Sequence, residues 1–203
     1  ASVDAVTKSG TNEFKGTVYG FFRNEDLTGG KVNGEKVFKP SLKQNQYGVS
    51  IGGPIIKNKL FFFANFEKDE VSELGSAFQP NTGSGAINES RVLESDLRLV
   101  SGVLSQVSIG NGEFYDPGAY QGFTYDAQST KGLFKLDYNI NDKHRVSFVY
   151  NFLRASKEKP AHPTALGFRG PSATTLQFEN TGYEINNNIN SFLVEFNSSF
   201  NDE

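Results

Sequence analysis

The chain has no cysteine, no methionine and no tryptophan among its 203 residues. Without cysteine it has no disulfide framework, no thiolate metal site and no cysteine nucleophile, so packing and hydrogen bonds must hold the fold together. Because methionine initiates translation, its absence leads us to expect a stretch of a longer protein. Long apolar runs are also missing, and the longest covers only residues 60–64. A transmembrane helix needs about 20 apolar residues, so a membrane role would have to rest on β-strands.

Charge is not concentrated in any part of the chain. The formal net charge is -3, and the lysines and arginines are scattered, which excludes a nucleic-acid-binding surface. The two histidines, His144 and His162, have no second histidine or carboxylate at metal-ligand spacing, so both are expected at the surface. No paired nucleophile and base occur either. The sequence therefore predicts no catalytic residues, no metal site, no cofactor and no enzymatic activity.

Aromatic residues reach 13% while hydrophobic residues make up only 36%, which is unusual for a soluble core. Apolar and polar residues alternate with a period of two in segments of roughly ten residues, the length that a tilted strand needs to cross a bilayer. This pattern predicts six strands, near 14–23, 44–52, 60–67, 133–139, 144–154 and 191–200.

The alternation also assigns faces to most of these strands. In the best-patterned pair, Phe134 and Phe148 lie on an apolar face, whereas the strand near 14–23 leaves open which of its faces is outward. Four charged side chains are expected to face inward: Lys135, Asp137, Arg145 and Glu195. These charges either line a lumen or form ion pairs inside a barrel, and the second arrangement is the more common.

Connection lengths carry further information. Short turns at 54–59 and 140–143 alternate with much longer connections, of which the one at about 156–189 is expected to be irregular because of its prolines and glycines. Short turns on one side and long loops on the other are typical of outer-membrane barrels. A soluble antiparallel sheet with one buried face gives the same alternation. A soluble or surface-exposed β-rich binding module for carbohydrate or peptide therefore stays open as the alternative.

The middle loop, residues 68–130, contains a predicted helix and a cluster of aromatic residues. The helix is expected to start at a cap on Asn88 or Ser90 and to end at Gly110. Its apolar stripe consists of Leu93, Leu97, Val100, Leu104 and Val107. Five aromatic residues after it are candidates for contact with a ligand: Phe114, Tyr115, Tyr120, Phe123 and Tyr125. Packing of the loop against itself is the other role open to these rings, and the more common one.

Several stretches of the chain carry recognisable motifs. Residues 6–16 (VTKSGTNEFKG) resemble the junction in the TonB-dependent receptors of bacterial outer membranes, where the last strand of the plug domain leads into the first strand of the barrel. Residues 19–24 (YGFFRN) and 45–63 (NQYGVSIGGPIIKNKLFFF) are similar to the Oar-like subgroup, which carries a carboxypeptidase-regulatory-like domain ahead of the plug. Residues 135–145 (KLDYNINDKHR) resemble a strand, a periplasmic turn and a strand of the same barrel.

The resemblance implies an all-β fold, in which antiparallel strands form about six of the roughly 22 strands of a transmembrane barrel. One long extracellular loop would contain a short helix. Residues 1–12 would end the plug domain and complete the junction, and residues 13–203 would form the N-terminal part of the barrel. The implied function is transport of a large ligand, or its reception, in the outer membrane.

The resemblance also implies partners. The chain would contact the remainder of its own barrel and plug, lipid and lipopolysaccharide, and an extracellular ligand that the loops do not identify. The TonB complex would bind through segments outside these 203 residues. A surface lipoprotein is a further candidate partner.

Overall fold

The computed structural model describes residues 7–162 and 170–200. In chain order its elements are β1 Lys15–Asn24, β2 Lys31–Val32, β3 Glu35–Lys36, β4 Leu42–Ile56, β5 Leu60–Leu74, β6 Gln79–Asn81, β7 Glu89–Leu93, helix α1 Glu94–Leu104, β8 Ser108–Gly110, β9 Glu113–Phe114, β10 Thr124–Asn139, β11 His144–Lys159 and β12 Tyr183–Ser198. Six long strands form one antiparallel sheet in the order β1-β4-β5-β10-β11-β12. The predicted all-β antiparallel fold, with a short helix in a long loop, is confirmed. The sheet is open, with β1 and β12 at its two edges.

Cross-strand pairing divides the sheet into two faces, because side chains alternate along a strand and paired residues share a face. We call the face that carries Lys135 and Asp137 the inner face, and the opposite one the outer face. Pairing through β4 and β5 settles the orientation of β1, which alternation alone left open. Tyr19 lies on the inner face and Val18 on the outer face.

The outer face carries an apolar band that crosses all six strands. On β11 the band runs from Val146 to Phe152, about 20 Å at a rise of ~3.3 Å per residue, which is close to the apolar height of about 25 Å in membrane barrels. Its large side chains are Val18, Phe22, Tyr47, Val49, Ile51, Phe62, Phe66, Phe134, Leu136, Tyr138, Val146, Phe148, Tyr150, Phe152, Phe192, Val194 and Phe196. A single-layered sheet cannot cover them, and Val18 is 82% exposed. A surface of this kind needs an apolar surrounding.

Aromatic rings fill the space that glycines leave in this band. A Cβ at Gly53 would lie 2.4 Å from Cδ1 of Phe14, and one at Gly132 would lie 2.4 Å from Cε1 of Phe152. In both pairs the ring and the glycine lie on neighbouring strands or at their ends. Covering glycines with rings from the next strand fixes the register of a sheet.

The long strands extend further toward the loops than the sequence predicts. β10 begins at Thr124 rather than near 133, and β12 begins at Tyr183 rather than near 191. The expectation of an irregular connection at 156–189 is therefore wrong at both ends, although its residues 163–169 lie outside the described part of the chain. Beyond the apolar band the outer face of the strands is polar, so the row of large apolar side chains that reveals a strand in the sequence ends there.

The loop helix is real but shorter than predicted. It starts at Glu94 with Leu93 as its N-cap residue and without a side-chain cap, so both predicted caps are wrong. Ser90 lies in β7, which pairs with β6 and occupies the residues before the helix. The helix ends at Leu104, and Gly110, at φ +100°, ends β8 instead. In the described residues no helix is both long and apolar enough to span a membrane.

Candidate functional site: the inner face of the sheet

Three of the four predicted inward charges meet on the inner face, beside the turn between β10 and β11. Asp137 is 2% exposed, and its Oδ1 accepts hydrogen bonds from Arg145 Nη2 at 2.7 Å and from Ser147 Oγ at 2.6 Å. Lys135 Nζ lies 3.6 Å from the same oxygen. A buried charge is tolerated only with charged partners and hydrogen bonds. We call Lys135, Asp137, Arg145 and Ser147 the anchor cluster.

The fourth predicted charge, Glu195, does not join the anchor cluster. It lies on the same face, paired in register with Ser147 across β11 and β12. Its Oε1 instead accepts a hydrogen bond from Asn197 Nδ2 at 2.8 Å. Because β12 is an edge strand, Glu195 is exposed.

A segment ahead of β1, residues 7–12, lies against the inner face; we call it the junction segment. Lys135 Nζ donates a hydrogen bond to Ser9 Oγ at 2.9 Å, which ties this segment to the anchor cluster. Gly10 fits closely against the sheet, since a Cβ there would lie 2.2 Å from the Phe62 carbonyl oxygen and 2.8 Å from that of Gly53. Only glycine can approach the backbone of β4 and β5 this closely.

Asn12 fixes the end of the junction segment to the turn between β4 and β5. Its side-chain amide donates to Asn58 Oδ1 at 2.6 Å, and its Oδ1 accepts from the Asn58 backbone N–H at 2.7 Å. Asn58 has φ +62°, a conformation that asparagine adopts more readily than most residues. The junction segment is thus held at Ser9, at Gly10 and at Asn12.

A second polar cluster lies higher on the inner face, toward the loops. The Tyr19 hydroxyl donates a hydrogen bond to Glu67 Oε2, and Lys131 Nζ lies 2.5 Å from Glu67 Oε1. The Tyr19 ring covers Gly48, where a Cβ would lie 2.5 Å from the ring carbon Cζ. The cation and the carboxylate of this cluster compensate each other, as in the anchor cluster.

At the loop-side end of the inner face lies an open pocket of about 350 Å³, which we call the mouth pocket. Glu73 and Tyr125 are paired across its top, and Lys157 lies in the next row toward the anchor cluster, paired with Ala127. Lys159, two residues beyond Lys157 on the same face of β11, also lines the pocket. Unlike the charges of the two lower clusters, the Lys157 and Lys159 ammonium groups make no hydrogen bond or ion pair within the described ranges.

Comparison with known proteins agrees with this geometry. A profile of the outer membrane beta barrel domain family matches residues 6–89. The chain is 28% identical over 159 residues to the TonB-dependent transporter Oar of Myxococcus xanthus. These similarities support a TonB-dependent receptor-like stretch of an outer-membrane β-barrel. The aligned region covers 73% of this chain but only 13% of that relative, and no solved structure matches.

The faces of this receptor-like stretch can now be assigned to their surroundings. It lies in the bacterial outer membrane, so the apolar band of the outer face contacts lipid and the inner face borders the lumen. Short turns of such barrels lie on the periplasmic side and long loops outside the cell. The anchor cluster and the junction segment are therefore at the periplasmic end, and the mouth pocket is at the extracellular end.

The structure does not bring the five predicted loop aromatics of the receptor-like stretch into one cluster. Phe114, in β9, is 61% exposed, whereas Phe123 is 6% exposed and lies edge-on to Tyr125. Tyr120 packs edge-on against Phe178 in the opposite loop. Tyr115 is half-buried, and its backbone N–H donates to the Val107 carbonyl at 2.8 Å. Only Tyr125 also lines the mouth pocket.

One carboxylate in the loops, that of Glu89, organises the turn before β7. It accepts backbone hydrogen bonds from Thr82 at 2.7 Å, Ser84 at 3.1 Å and Gly85 at 3.0 Å. These bonds, chiefly the one from Thr82, lower the pKa of Glu89 to about 2. The carboxylate holds together a turn that contains two glycines with positive φ, Gly83 and Gly85.

Sequence patterns missed the residues that contact one another only through register or close approach. Ser9 and Gly10 belong to the junction motif, but nothing in the sequence pairs them with Lys135 or with the carbonyl of Phe62. The Tyr19 and Glu67 pair depends on the register of three strands. Across the described ranges no three histidine, cysteine or acidic side chains are grouped so as to hold a metal ion.

Proposed function

We propose that this chain forms part of the wall, the extracellular loops and the plug attachment of a transporter that takes a large ligand across the outer membrane with energy supplied through TonB. The observation that carries the proposal is the junction segment seated on the inner face. A chain that enters a lumen from the periplasmic end, and is fixed there, is suited to connect a plug with its barrel. Residues 1–12 are then the end of the plug and its junction.

The open edges of the sheet indicate that further strands of the same barrel pair with it. Unpaired backbone groups in lipid are destabilising by several kcal/mol each, so β1 and β12 need neighbouring strands. We assign these neighbours to the remainder of the barrel, about 22 strands in all. The polar outer face above the apolar band, with Lys68 and Arg154 on it, would contact lipopolysaccharide headgroups.

The extracellular loops would meet the ligand first. Phe114 offers the most exposed ring among the predicted aromatics, at 61%. Tyr120 and Phe123 would position the loops that surround the lumen rather than contact the ligand directly, because both pack inside the loop structure. A surface lipoprotein would dock on the same loops.

The absence of cysteine makes the topology directly testable. A single cysteine in place of Val194, on the outer face, should react in intact outer membranes with a lipid-soluble maleimide but not with a charged one. A cysteine in place of Asn151, on the inner face of the neighbouring strand, should show the opposite preference. Equal labelling of both positions by the charged reagent would contradict the barrel topology and favour a soluble or surface-exposed binding module.

The transport function needs a second measurement. Cells that carry the full-length protein should accumulate its ligand, and should stop doing so when TonB is deleted or the proton gradient is collapsed. Accumulation that continues without TonB would overturn energy-dependent import and leave the barrel topology intact. In this way the two parts of the proposal can fail separately.

A further inference from the structure

We propose that the mouth pocket binds an anionic group, carboxylate or phosphate, of the ligand that enters the lumen. The inference rests on the proposed transport function, for which it names the chemistry of one recognition site. It starts from Lys157 and Lys159, which lie two residues apart on the inner face of β11. Their Cα atoms are separated by about 7 Å, so both ammonium groups can reach one anion.

These two lysines differ from the basic residues of the two clusters below them. Lys131 is paired with Glu67 at 2.5 Å, and Arg145 with Asp137 at 2.7 Å. The side chains of Lys157 and Lys159 have no such partner among residues 7–162 and 170–200. Two neighbouring like charges inside a concave wall raise the local concentration of counter-ions. An anionic ligand group would supply the missing compensation.

The pocket has depth because its floor is made of short side chains. Val71 and Ala127 are paired across β5 and β10, directly beside Lys157 in the same row. The taller Gln44 stands on the other side of this floor. A small apolar floor between polar walls is typical of ligand sites, in which a few polar groups fix the orientation.

Tyr125 forms a rigid wall of the mouth pocket. Its hydroxyl accepts a hydrogen bond from Gln177 Nε2 at 2.7 Å, and its ring contacts Phe123 edge-on with centroids 5.4 Å apart. Gln177 is 8% exposed, so the extracellular loop holds the tyrosine from behind. A side chain that is already fixed loses little entropy when a ligand binds.

Glu73 adds a negative charge to the mouth pocket. It pairs with Tyr125 on β10, and continuing the β10–β11 register two residues beyond the Ala127–Lys157 pair sets Lys159 on the other side of Tyr125. Strands are spaced by about 4.8 Å, so the backbones of Glu73 and Lys159 are roughly 10 Å apart. The arrangement fits a ligand whose anion contacts the lysines while a hydroxyl or amine donates to Glu73.

Lysine acetylation in the purified full-length transporter tests the proposal. Mass spectrometry would follow the acetylation rates of Lys157 and Lys159 in phosphate, in succinate and in chloride of equal ionic strength. Phosphate, succinate or both should slow acetylation about twofold at a concentration equal to the dissociation constant. Lys31 and Lys36, an exposed pair directly opposite each other in β2 and β3, serve as the matched control and should not respond.

Variants make the outcome decisive. Replacing both Lys157 and Lys159 by glutamine should abolish the binding of phosphate or succinate measured by calorimetry, whereas glutamine at Lys31 and Lys36 should leave it unchanged. Equal acetylation in all three salts, or binding that survives the double replacement, would overturn the anion site. Protection by only one of the two probes supports the proposal and identifies the anion type. Uptake by the native protein that continues when TonB is deleted would instead overturn the transport function, whatever the acetylation result.

Discussion

The charged side chains at the two ends of the inner face differ in whether they have partners of opposite charge. At the periplasmic end, Asp137 is 2% exposed and is surrounded by Lys135, Arg145 and Ser147. At the extracellular end, Lys157 and Lys159 face the lumen without a partner in the described structure. Charges that hold the wall together are compensated internally, and charges left over are available to a ligand. Substitutions at the two ends should therefore affect different properties.

Replacing Asp137 with alanine should have the largest effect on stability. Lys135, 7% exposed, and Arg145 would lose their carboxylate, and an uncompensated buried charge is destabilising by about 3–5 kcal/mol. Urea unfolding of the full-length barrel in lipid vesicles measures the change. Asp96→Ala, at an exposed position on α1, is the control and should have little effect. A similar small change for both variants would mean that the anchor cluster does not stabilise the wall.

Replacing Gly10 with alanine should displace the junction segment and lower the stability of the protein by less than Asp137→Ala does. The added Cβ would clash with the carbonyls of Phe62 and Gly53, and such overpacking typically destabilises by about 1–3 kcal/mol. A cysteine introduced at Thr11 should react faster with maleimide when Gly10 is alanine. Gly20→Ala is the matched control, because its nearest atom would be 3.8 Å away. Unchanged reactivity in the Gly10 variant would show that the close approach is not what holds the segment.

Replacing Tyr19 with phenylalanine should give a loss of stability similar to that of Gly10→Ala and smaller than that of Asp137→Ala. The ring would still cover Gly48, and only the hydrogen bond to Glu67 would disappear, at about 1.5–3 kcal/mol for a bond to a charged group. The same unfolding measurement detects it. Tyr47→Phe, on the outer face, provides the comparison. A loss as large as that of Asp137→Ala would place the main support of the wall in this cluster instead.

Acid should loosen the Glu89 turn only at low pH. The pKa of Glu89 falls from 4.5 to about 2 because backbone N–H groups stabilise its charged form. A lowered pKa means that the contribution of Glu89 is complete above pH 4.5 and disappears as the pH falls through about 2. Limited proteolysis of loop 75–88 by pepsin between pH 5 and pH 2 would follow it. Glu89→Gln should open the turn at every pH, and cleavage independent of pH in the native protein would contradict the prediction.

The smallest effect on stability is expected from the mouth pocket. Lys159→Gln removes a charge that has no partner in the described ranges, so the free energy of unfolding should change by no more than about 0.5 kcal/mol. Anion binding should nevertheless weaken. A large loss of stability would mean that Lys159 supports the wall, and the contrast between the two ends of the lumen would no longer hold.

The sequence predicted the band-crossing parts of the six strands well, because lipid on one side and polar surroundings on the other impose alternation. It placed Lys135, Asp137 and Arg145 on one face for the same reason. It failed for residues 124–132 and 183–190, where the outer face of the strand is polar and the apolar outer row has ended. It also misplaced the caps of α1, because pairing of β7 with β6 decides where the helix can begin.

By itself the sequence determined the fold class, the faces of every strand but the first and the family resemblance, since each follows from local periodicity or from short motifs. Only the tertiary structure decided which of the inward charges meet. Asp137 joins Lys135 and Arg145 because of the register of β10 and β11, while Glu195 is left at an edge. The contact of Gly10 with β4 and β5, and the isolation of Lys157 and Lys159, likewise depend on which strands lie next to each other. Pairing between distant segments leaves no periodic trace in a single sequence.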